Sequence, residues 1–255
     1  MAEQPSAHFS SDGVDIAYLD EGAGDPVVLV HGFASNRTVN WVDTGWVKAL
    51  RAAGFRVIAL DNRGHGDSAK LYRPEDYGAP LMAEDVARLM DHLVIARADV
   101  IGYSMGSRIA AFLALARPER VRSLVFGGLG ANMVRPMAGT GPIAHALEAD
   151  NIDAVTNPTA RTFRAFAEQT GSDLKALAAC IRSARDPLKP EDLARIAVPV
   201  LVAVGSEDVI GGPADGLARL MPYGEALVIE RRDHMKAVGD RQFKEGVAAF
   251  LARRP

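Results

Sequence analysis

The sequence predicts an α/β protein in which a mostly parallel, eight-stranded sheet is flanked by helices and carries a small helical insertion. Short apolar runs recur along the chain, and segments with the apolar spacing of helices lie between them. Most of the runs are continuous rather than alternating, as expected of strands that are buried on both faces of a parallel sheet. Because parallel strands need crossover connections, this alternation of strand and helix predicts helical layers on the sheet.

The first two strands are predicted to form a hairpin over residues 9–20. Asp12 and Gly13 form a turn dipeptide, and Val14, Ile16 and Tyr18 fall at every second position after it. We therefore expect this pair of strands to be antiparallel. Buried strands follow at residues 27–30, 57–60, 100–101, 124–126 and 200–204, and a last strand at residues 226–230.

Helical patterns separate the buried strands. Gly54 and Pro118 stand where helices are expected to end, because glycine accepts the left-handed conformation of a helix C-terminus and proline cannot continue a helix. Strand and helix therefore alternate through most of the chain. The predicted helices cover residues 43–53, 81–93, 104–117, 214–220 and 241–252.

Residues 129–190 interrupt this alternation. The segment has no clear strand, and helical patterns lie around residues 159–168 and 174–182. A structureless loop of this length is uncommon inside a compact domain. We therefore predict one core domain made of residues 1–128 and 191–255, with residues 129–190 forming a helical cap that acts as a lid over one end of the sheet.

Composition excludes several classes of function. The 255 residues are 48% hydrophobic and 24% charged, which is typical of a globular chain that folds on its own core. The formal net charge of -3 is spread without a basic cluster, so no nucleic-acid partner is expected. No window holds the ~18 apolar residues of a membrane span. Residues 1–9 lack a secretory signal, and Cys180 is the only cysteine, which favours a cytoplasmic location.

Motifs for cofactors and metals are missing from the sequence. The chain has no G-x-x-x-x-G-K-[ST] phosphate loop and no H-E-x-x-H zinc motif. Gly128 and Gly130 follow a predicted strand, but Met133 occupies the position of the third glycine in a dinucleotide-binding fingerprint. We therefore expect neither a cofactor nor a metal ion.

A candidate nucleophile lies in the pentapeptide Gly102-Tyr103-Ser104-Met105-Gly106. This segment joins a predicted strand directly to a predicted helix, so Ser104 stands on a tight turn with its hydroxyl at the carboxyl end of the strand. A Cβ at either glycine would collide with the backbone that crosses beside it. The helix N-terminus adds N–H groups and the positive end of a dipole for a developing oxyanion.

A serine nucleophile needs a base, and the base needs a carboxylate that orients it. His234 follows the last predicted strand on a loop that can reach the serine from across the sheet. Asp208 lies in a sharp turn after the strand at residues 200–204, and Glu207 is the neighbouring competitor. We predict Ser104, Asp208 and His234 as the catalytic residues.

The backbone can supply an oxyanion hole beside this serine. Gly32 lets the chain bend after the strand at residues 27–30, so that the N–H of Phe33 can face the same point as the N–H of Met105. Neither donor depends on its side chain. We predict these two N–H groups as the oxyanion donors.

Taken together and in order, these motifs resemble the α/β-hydrolase family over nearly the whole chain. The resemblance implies that Ser104 is the nucleophile, His234 the general base and Asp208 the orienting acid. It also implies that residues 61–68 form a structural turn beside the site rather than a catalytic group. The matching positions are His31-Gly32, residues 61–68, the glycine-flanked Ser104, Gly205 with Asp208, and His234.

Two further positions bear on which member of the family the chain resembles. Ala34 replaces the proline of cofactor-free haloperoxidase-like members, which weakens an interpretation as a peroxide enzyme. Gly127 and Gly128 follow the strand at residues 124–126 and leave no acid at the family's other carboxylate position, which favours Asp208.

We predict a hydrolase that cleaves carboxylic esters of small to medium acyl chains through an acyl-enzyme. The same residues serve enol-lactone hydrolases, carbon–carbon bond hydrolases and perhydrolases, and a non-catalytic ligand-binding protein is the remaining alternative. Phe163 and Phe166 are expected to pack inside the cap. The predicted contacts to the small-molecule ester are Asn36, Trp41, Met133, Met137 and Val209.

Overall fold

The computed structural model describes residues 6–135, 140–183 and 188–254. Within these ranges eight strands form one sheet in the order β1-β2-β4-β3-β5-β6-β7-β8. The predicted α/β fold with a mostly parallel sheet is confirmed. The strands are β1 (Ala7–Ser11), β2 (Val14–Glu21), β3 (Pro26–Val30), β4 (Arg56–Leu60), β5 (Ala98–Tyr103), β6 (Val121–Gly127), β7 (Val200–Gly205) and β8 (Gly224–Ile229).

Helices connect the strands and cover the sheet on both faces. In the described ranges they are α1 (Trp46–Ala52), α2 (Ala79–His92), α3 (Met105–Ala116), α4 (Thr140–Glu148), α5 (Pro158–Gln169), α6 (Leu174–Arg182), α7 (Pro190–Leu193), α8 (Ala214–Ala218) and α9 (Arg241–Leu251). None of them combines the length and the apolar character that crossing a membrane requires.

The N-terminal hairpin has the turn that its sequence predicts. Strands β1 and β2 pair antiparallel, and Asp12 and Gly13 between them have φ angles of 51° and 82°. Two consecutive positive φ angles match the right-handed twist of a hairpin, and the Asp-Gly dipeptide is among the sequences that best tolerate them. Strand β2 then pairs antiparallel with β4, and all remaining pairs in the sheet are parallel.

Both faces of the central strands are buried, which explains why their sequences do not alternate. Val28 and Val30 of β3 join a core that includes helices α2 and α3, whereas Val27 and Leu29 join a second core that includes helices α1 and α9. Every second residue therefore serves a different apolar layer. A polar residue at any of these positions would enter one core or the other.

The order of the strands creates a crevice at the carboxyl ends of the central strands. Strand β3 lies between β4 and β5, so the chain leaves β3 toward one side of the sheet and returns on the other. In open parallel sheets ligands bind at the carboxyl ends of the strands where the order reverses in this way. Ser104 follows β5 at this point, and the His31-Gly32 turn follows β3.

Helices occupy the described part of the chain between β6 and β7. Helix α4 packs against α5 and α6. This segment contains the predicted cap, and its helices agree with the expected helical insertion; the division of the chain into a core and a separate lid stays a prediction. Met137, one of the predicted substrate contacts, lies outside the described residues.

The N-terminus of α3 should be intolerant of any side chain at Gly106. A Cβ built there would collide with the carbonyl oxygen of Val30 and lie 2.8 Å from that of His31. Because both obstacles are backbone atoms of the sheet, we expect Gly106→Ala to lower the free energy of unfolding by about 1–3 kcal/mol or more. Urea denaturation measures this change.

Gly141→Ala in α4 is the matched control, since a Cβ there meets nothing within 4 Å. It should leave the free energy of unfolding unchanged or raise it slightly, because alanine is the better helix former. Equal losses in the two variants would contradict the steric explanation.

Candidate active site

Ser104, Asp208 and His234 lie together at the carboxyl edge of the sheet. Nε2 of His234 lies 3.0 Å from Oγ of Ser104, and Nδ1 of the same ring lies 2.8 Å from Oδ2 of Asp208. When Nδ1 carries the proton and donates it to the carboxylate, Nε2 is left as an acceptor for the serine hydroxyl. This geometry allows the imidazole to remove the hydroxyl proton during an attack by Oγ.

The backbone at Ser104 adopts a conformation that is rare for any residue with a side chain. Its φ and ψ angles are 53° and -113°, and its N–H donates to the carbonyl of Gly127 at 2.7 Å. Such strain is characteristic of functional sites and persists only where the surroundings hold it in place. Helix α3 begins at the next residue, Met105, so the N–H groups of its first turn have no partner inside the helix.

Asp208 is held in place by the turn that follows β7. Its Oδ1 accepts hydrogen bonds from the N–H groups of Ile210 and Gly211 at 2.9 and 2.8 Å, which leaves Oδ2 for the imidazole of His234. The side chain of Asp208 is buried, whereas that of the competing acid Glu207 is exposed. Of the two acids in this turn, only Asp208 bonds to the histidine in the described structure.

Tyr103 positions the loop that carries His234, and sequence analysis did not identify it. Its hydroxyl donates to the carbonyl oxygen of His234 at 2.6 Å. Burial raises the pKa of this phenol well above its usual range, and the nearby carboxylates of Asp208 and Asp233 raise it further. The phenol therefore remains a neutral donor. The available signal was its place as the last residue of a buried strand, where a polar group needs a partner.

The turn after β3 lies directly against the serine. A Cβ on Gly32 would lie 3.4 Å from Cβ of Ser104, and the N–H of Gly32 donates to Oδ1 of Asn40 at 3.2 Å. Phe33 and Met105, whose N–H groups are the predicted oxyanion donors, are both buried beside this contact. The loop can therefore present its backbone to a group held at Ser104.

A cavity of about 220 Å³ opens beside Ser104 and His234. Two aromatic residues of α5, Phe163 and Phe166, form part of its wall, and the ring of Phe163 packs edge-on against that of Phe33 with centroids 5.9 Å apart. Both residues also pack against the apolar core, so they serve the expected packing and the cavity wall together. Its other apolar lining residues include Val39, Met235 and Val238, and its polar ones include Ser35, Asn40 and Thr44.

Two of the predicted substrate contacts lie in the protein core, and the prediction was wrong for them. Trp41 is fully buried against Trp46, with ring centroids 5.9 Å apart. Residues 38–42 form a short π-helix, in which neighbouring side chains point in different directions. As a result Asn40 lines the cavity, whereas the ring of Trp41 packs in the core. Met133 is likewise fully buried, among the apolar residues of the core that includes α2 and α3.

The other two described candidates lie away from the cavity wall. Asn36 accepts the N–H of Val39 through its Oδ1 at 2.8 Å and so closes the turn before the π-helix. Val209 is 88% exposed beside Asp208 and points to solvent. Neither residue is among those that line the cavity.

Two buried histidines stabilise the turns next to the site without bonding to Ser104. His31 accepts the N–H of Asn62 through Nε2 at 2.9 Å, and His65 donates from Nδ1 to the carbonyl of Arg63 at 2.9 Å. Burial lowers the pKa of His31 to about 4 and that of His65 to about 3, and Arg37 adds to the first shift. Both rings are therefore neutral at neutral pH.

The comparisons with known proteins agree with this fold. Residues 25–141 match a family model described as the alpha/beta hydrolase fold. A protein named as a non-heme bromoperoxidase from Mycobacterium tuberculosis is 32% identical over 87% of this chain and 91% of its own length. A solved hydrolase from Pseudomonas aeruginosa aligns over 98% of this chain and 99% of its own, with 26% identity and a TM-score of 0.79.

A further relative is considerably longer than this chain. The dihydrolipoyllysine-residue acetyltransferase component of the acetoin cleaving system from Pseudomonas putida is 34% identical over 90% of this chain. The chain spans only 64% of the length of that relative. The fold and these similarities define the class of protein. The chain belongs to the alpha/beta hydrolase fold family.

The buried histidine pair should make folding sensitive to mild acid. Unfolded histidines bind a proton near pH 6.5, whereas in the folded protein His31 and His65 stay neutral down to about pH 4 and 3. Since the unfolded state binds more protons in this window, the free energy of unfolding should fall by roughly 2 kcal/mol per histidine between pH 7 and 5. Urea denaturation at several pH values measures this.

His65→Asn tests the assignment, because an amide can still donate to the Arg63 carbonyl but does not titrate. The variant should lose about half of the pH dependence between pH 7 and 5. The exposed His145 in α4 provides the control, and His145→Asn should leave the dependence unchanged. An identical slope in wild type and His65→Asn would refute the role of this ring.

Proposed function

We propose that the protein is a serine hydrolase that cleaves carboxylic esters of small to medium acyl chains through an acyl-enzyme intermediate. The observation that carries this proposal is the unbroken hydrogen-bonded series from Ser104 through His234 to Asp208, at 3.0 and 2.8 Å. Neighbouring backbone supports it, because the N–H groups of Phe33 and Met105 belong to the two turns that meet at the serine.

In this mechanism Oγ of Ser104 attacks the ester carbonyl carbon while Nε2 of His234 takes the hydroxyl proton. The carbonyl oxygen becomes an oxyanion and accepts from the N–H groups of Phe33 and Met105. Asp208 stabilises the imidazolium, which then donates its proton to the departing alcohol. Water attacks the acyl-serine by the same route, and the acid leaves as the serine regains its proton.

The dimensions of the cavity support small substrates. Its volume of about 220 Å³ lies below the range of about 300–1,000 Å³ that is usual for the binding sites of drug-sized ligands. Its wall is mostly apolar and includes side chains from α5 and from the loop after β8, which suits a short acyl or alcohol chain. We assign residues 129–190 as a lid, since Phe163 and Phe166 of α5 line the cavity and Oγ1 of Thr170 donates to the carbonyl of Ala34 at 3.0 Å.

Peroxide chemistry is the second candidate, because the relative named as a bromoperoxidase covers most of the chain. In that reaction hydrogen peroxide, rather than water, would release the acyl group as a peracid. The loop after β3 favours water over hydrogen peroxide as the group that attacks the acyl-serine. Ala34 has a φ angle of 59°, and proline, fixed near -65°, could not occupy this position without a rearrangement of the loop.

Ser104→Ala should abolish turnover of a nitrophenyl ester by about 10⁴-fold or more in kcat, because the nucleophile is lost while the cavity remains. A fluorophosphonate probe should label wild type at Ser104 and leave the variant unlabelled. Ser107→Ala is the matched control: its hydroxyl donates only to the backbone carbonyls of Gly102 and Gly127. Turnover of the ester by Ser104→Ala at the wild-type rate would end the proposal.

Asp208→Asn should reduce kcat by up to about 10⁴-fold with little change in KM, because an amide no longer favours the histidine tautomer that accepts the serine proton. The adjacent Glu207→Gln removes an exposed charge from the same turn and should change kcat by less than about tenfold. Steady-state kinetics on one ester compare the two. Similar losses in both variants would assign the effect to the turn rather than to the carboxylate.

A further inference from the structure

Asn40 lines the cavity, yet the proposed mechanism gives it no part. The residue is 5% exposed, and three of its polar groups are satisfied: its N–H by Asn36, its carbonyl by Thr44, and its Oδ1 by the N–H of Gly32 at 3.2 Å. Its Nδ2 is buried and has no hydrogen-bond partner within the described parts of the chain. The amide is therefore held firmly while its two N–H donors remain unused.

This amide lies in the layer of atoms that surrounds the nucleophile. A Cβ built on Gly32 would contact both Cβ of Ser104, at 3.4 Å, and Oδ1 of Asn40, at 3.9 Å. The N–H of Gly32 also fixes the orientation of the amide, because exchanging its oxygen and nitrogen would place two donors against each other. In the described structure Trp41, Asn62 and His65 also have a buried polar atom without a partner. Of these four residues only Asn40 lines the cavity, where a bound molecule could supply the acceptor.

We infer that Asn40 determines specificity by donating from Nδ2 to an acceptor oxygen of the substrate, other than the carbonyl oxygen that the backbone binds. The preferred substrates are then small esters that carry an ether, carbonyl or hydroxyl oxygen a few bonds from the scissile bond. This inference rests on the proposed ester hydrolysis and adds a substrate class to it. Val39 and Phe166 of the same wall are apolar. The hydroxyl of Thr44 already donates to the carbonyl of Asn40, which leaves Ser35 as the other hydroxyl near that oxygen.

Two pairs of esters of equal shape test the inference. Nitrophenyl methoxyacetate and nitrophenyl butanoate differ by one oxygen in place of a methylene on the acyl side. Methoxyethyl acetate and butyl acetate differ in the same way on the alcohol side. For each pair the ratio of the two kcat/KM values is measured in wild type and variants, so that differences in intrinsic reactivity cancel.

Asn40→Asp keeps an oxygen that accepts the N–H of Gly32 but replaces the donor, and Asn40→Leu removes both groups without adding a charge. In at least one pair, both variants should lower the ratio of oxygen-containing to all-carbon ester by about three- to tenfold, the value of one hydrogen bond. The pair that responds shows which side of the ester occupies the cavity. Val39→Ala alters the same wall without removing a donor and should leave both ratios unchanged.

Unchanged ratios in both pairs, with activity retained, would overturn the role of Asn40 and leave the ester hydrolase proposal intact. Equal losses for both members of each pair would also overturn it, because Asn40 would then act only by holding the Gly32 turn. If wild type cleaves none of the four esters, the proposed function fails, and this inference fails with it.

Discussion

The crossing of helix α3 over the carboxyl ends of β3 and β5 is the constraint on which the rest of the site depends. Gly102 and Gly106 allow the helix to begin against backbone atoms rather than side chains. As a result Ser104 is held at a positive φ angle, and the turn at Gly32 comes within contact distance of it. The close packing at Gly102 and Gly106 therefore sets the position of both the Ser104 hydroxyl and the nearby backbone N–H groups.

The site is built largely from backbone hydrogen bonds, and this limits how far its groups can move. Asp208 is fixed by two N–H groups of its own turn, and the loop of His234 is fixed by the hydroxyl of Tyr103. The neutral rings of His31 and His65 stiffen the neighbouring turns without adding charge close to the serine. Preorganised groups of this kind need little rearrangement when charge develops in a transition state.

The sheet and the positions after its strands could be predicted because each depends on local sequence. Ser104 and His234 follow strands whose apolar runs are unambiguous, and parallel strands bring their carboxyl ends to one edge. Trp41 could not be placed in the same way. The direction of its side chain depends on where a five-residue π-helix begins. If the helix began one residue earlier or later, Trp41 would face the cavity and Asn40 the core.

Residues that line the cavity were harder to predict than Ser104 for a physical reason. An apolar side chain such as Phe163 satisfies the same pattern whether it packs inside the cap or faces a substrate. A polar side chain such as that of Asn40 is distinguished only by its hydrogen-bond partners in the folded protein. The partner of its Oδ1 is the N–H of Gly32, which is not a neighbour in sequence. In this protein the shared chemistry lies at strand ends, where the sheet imposes positions. The cavity wall is formed by loops and by α5, where an unsatisfied donor is a more informative signal than any motif.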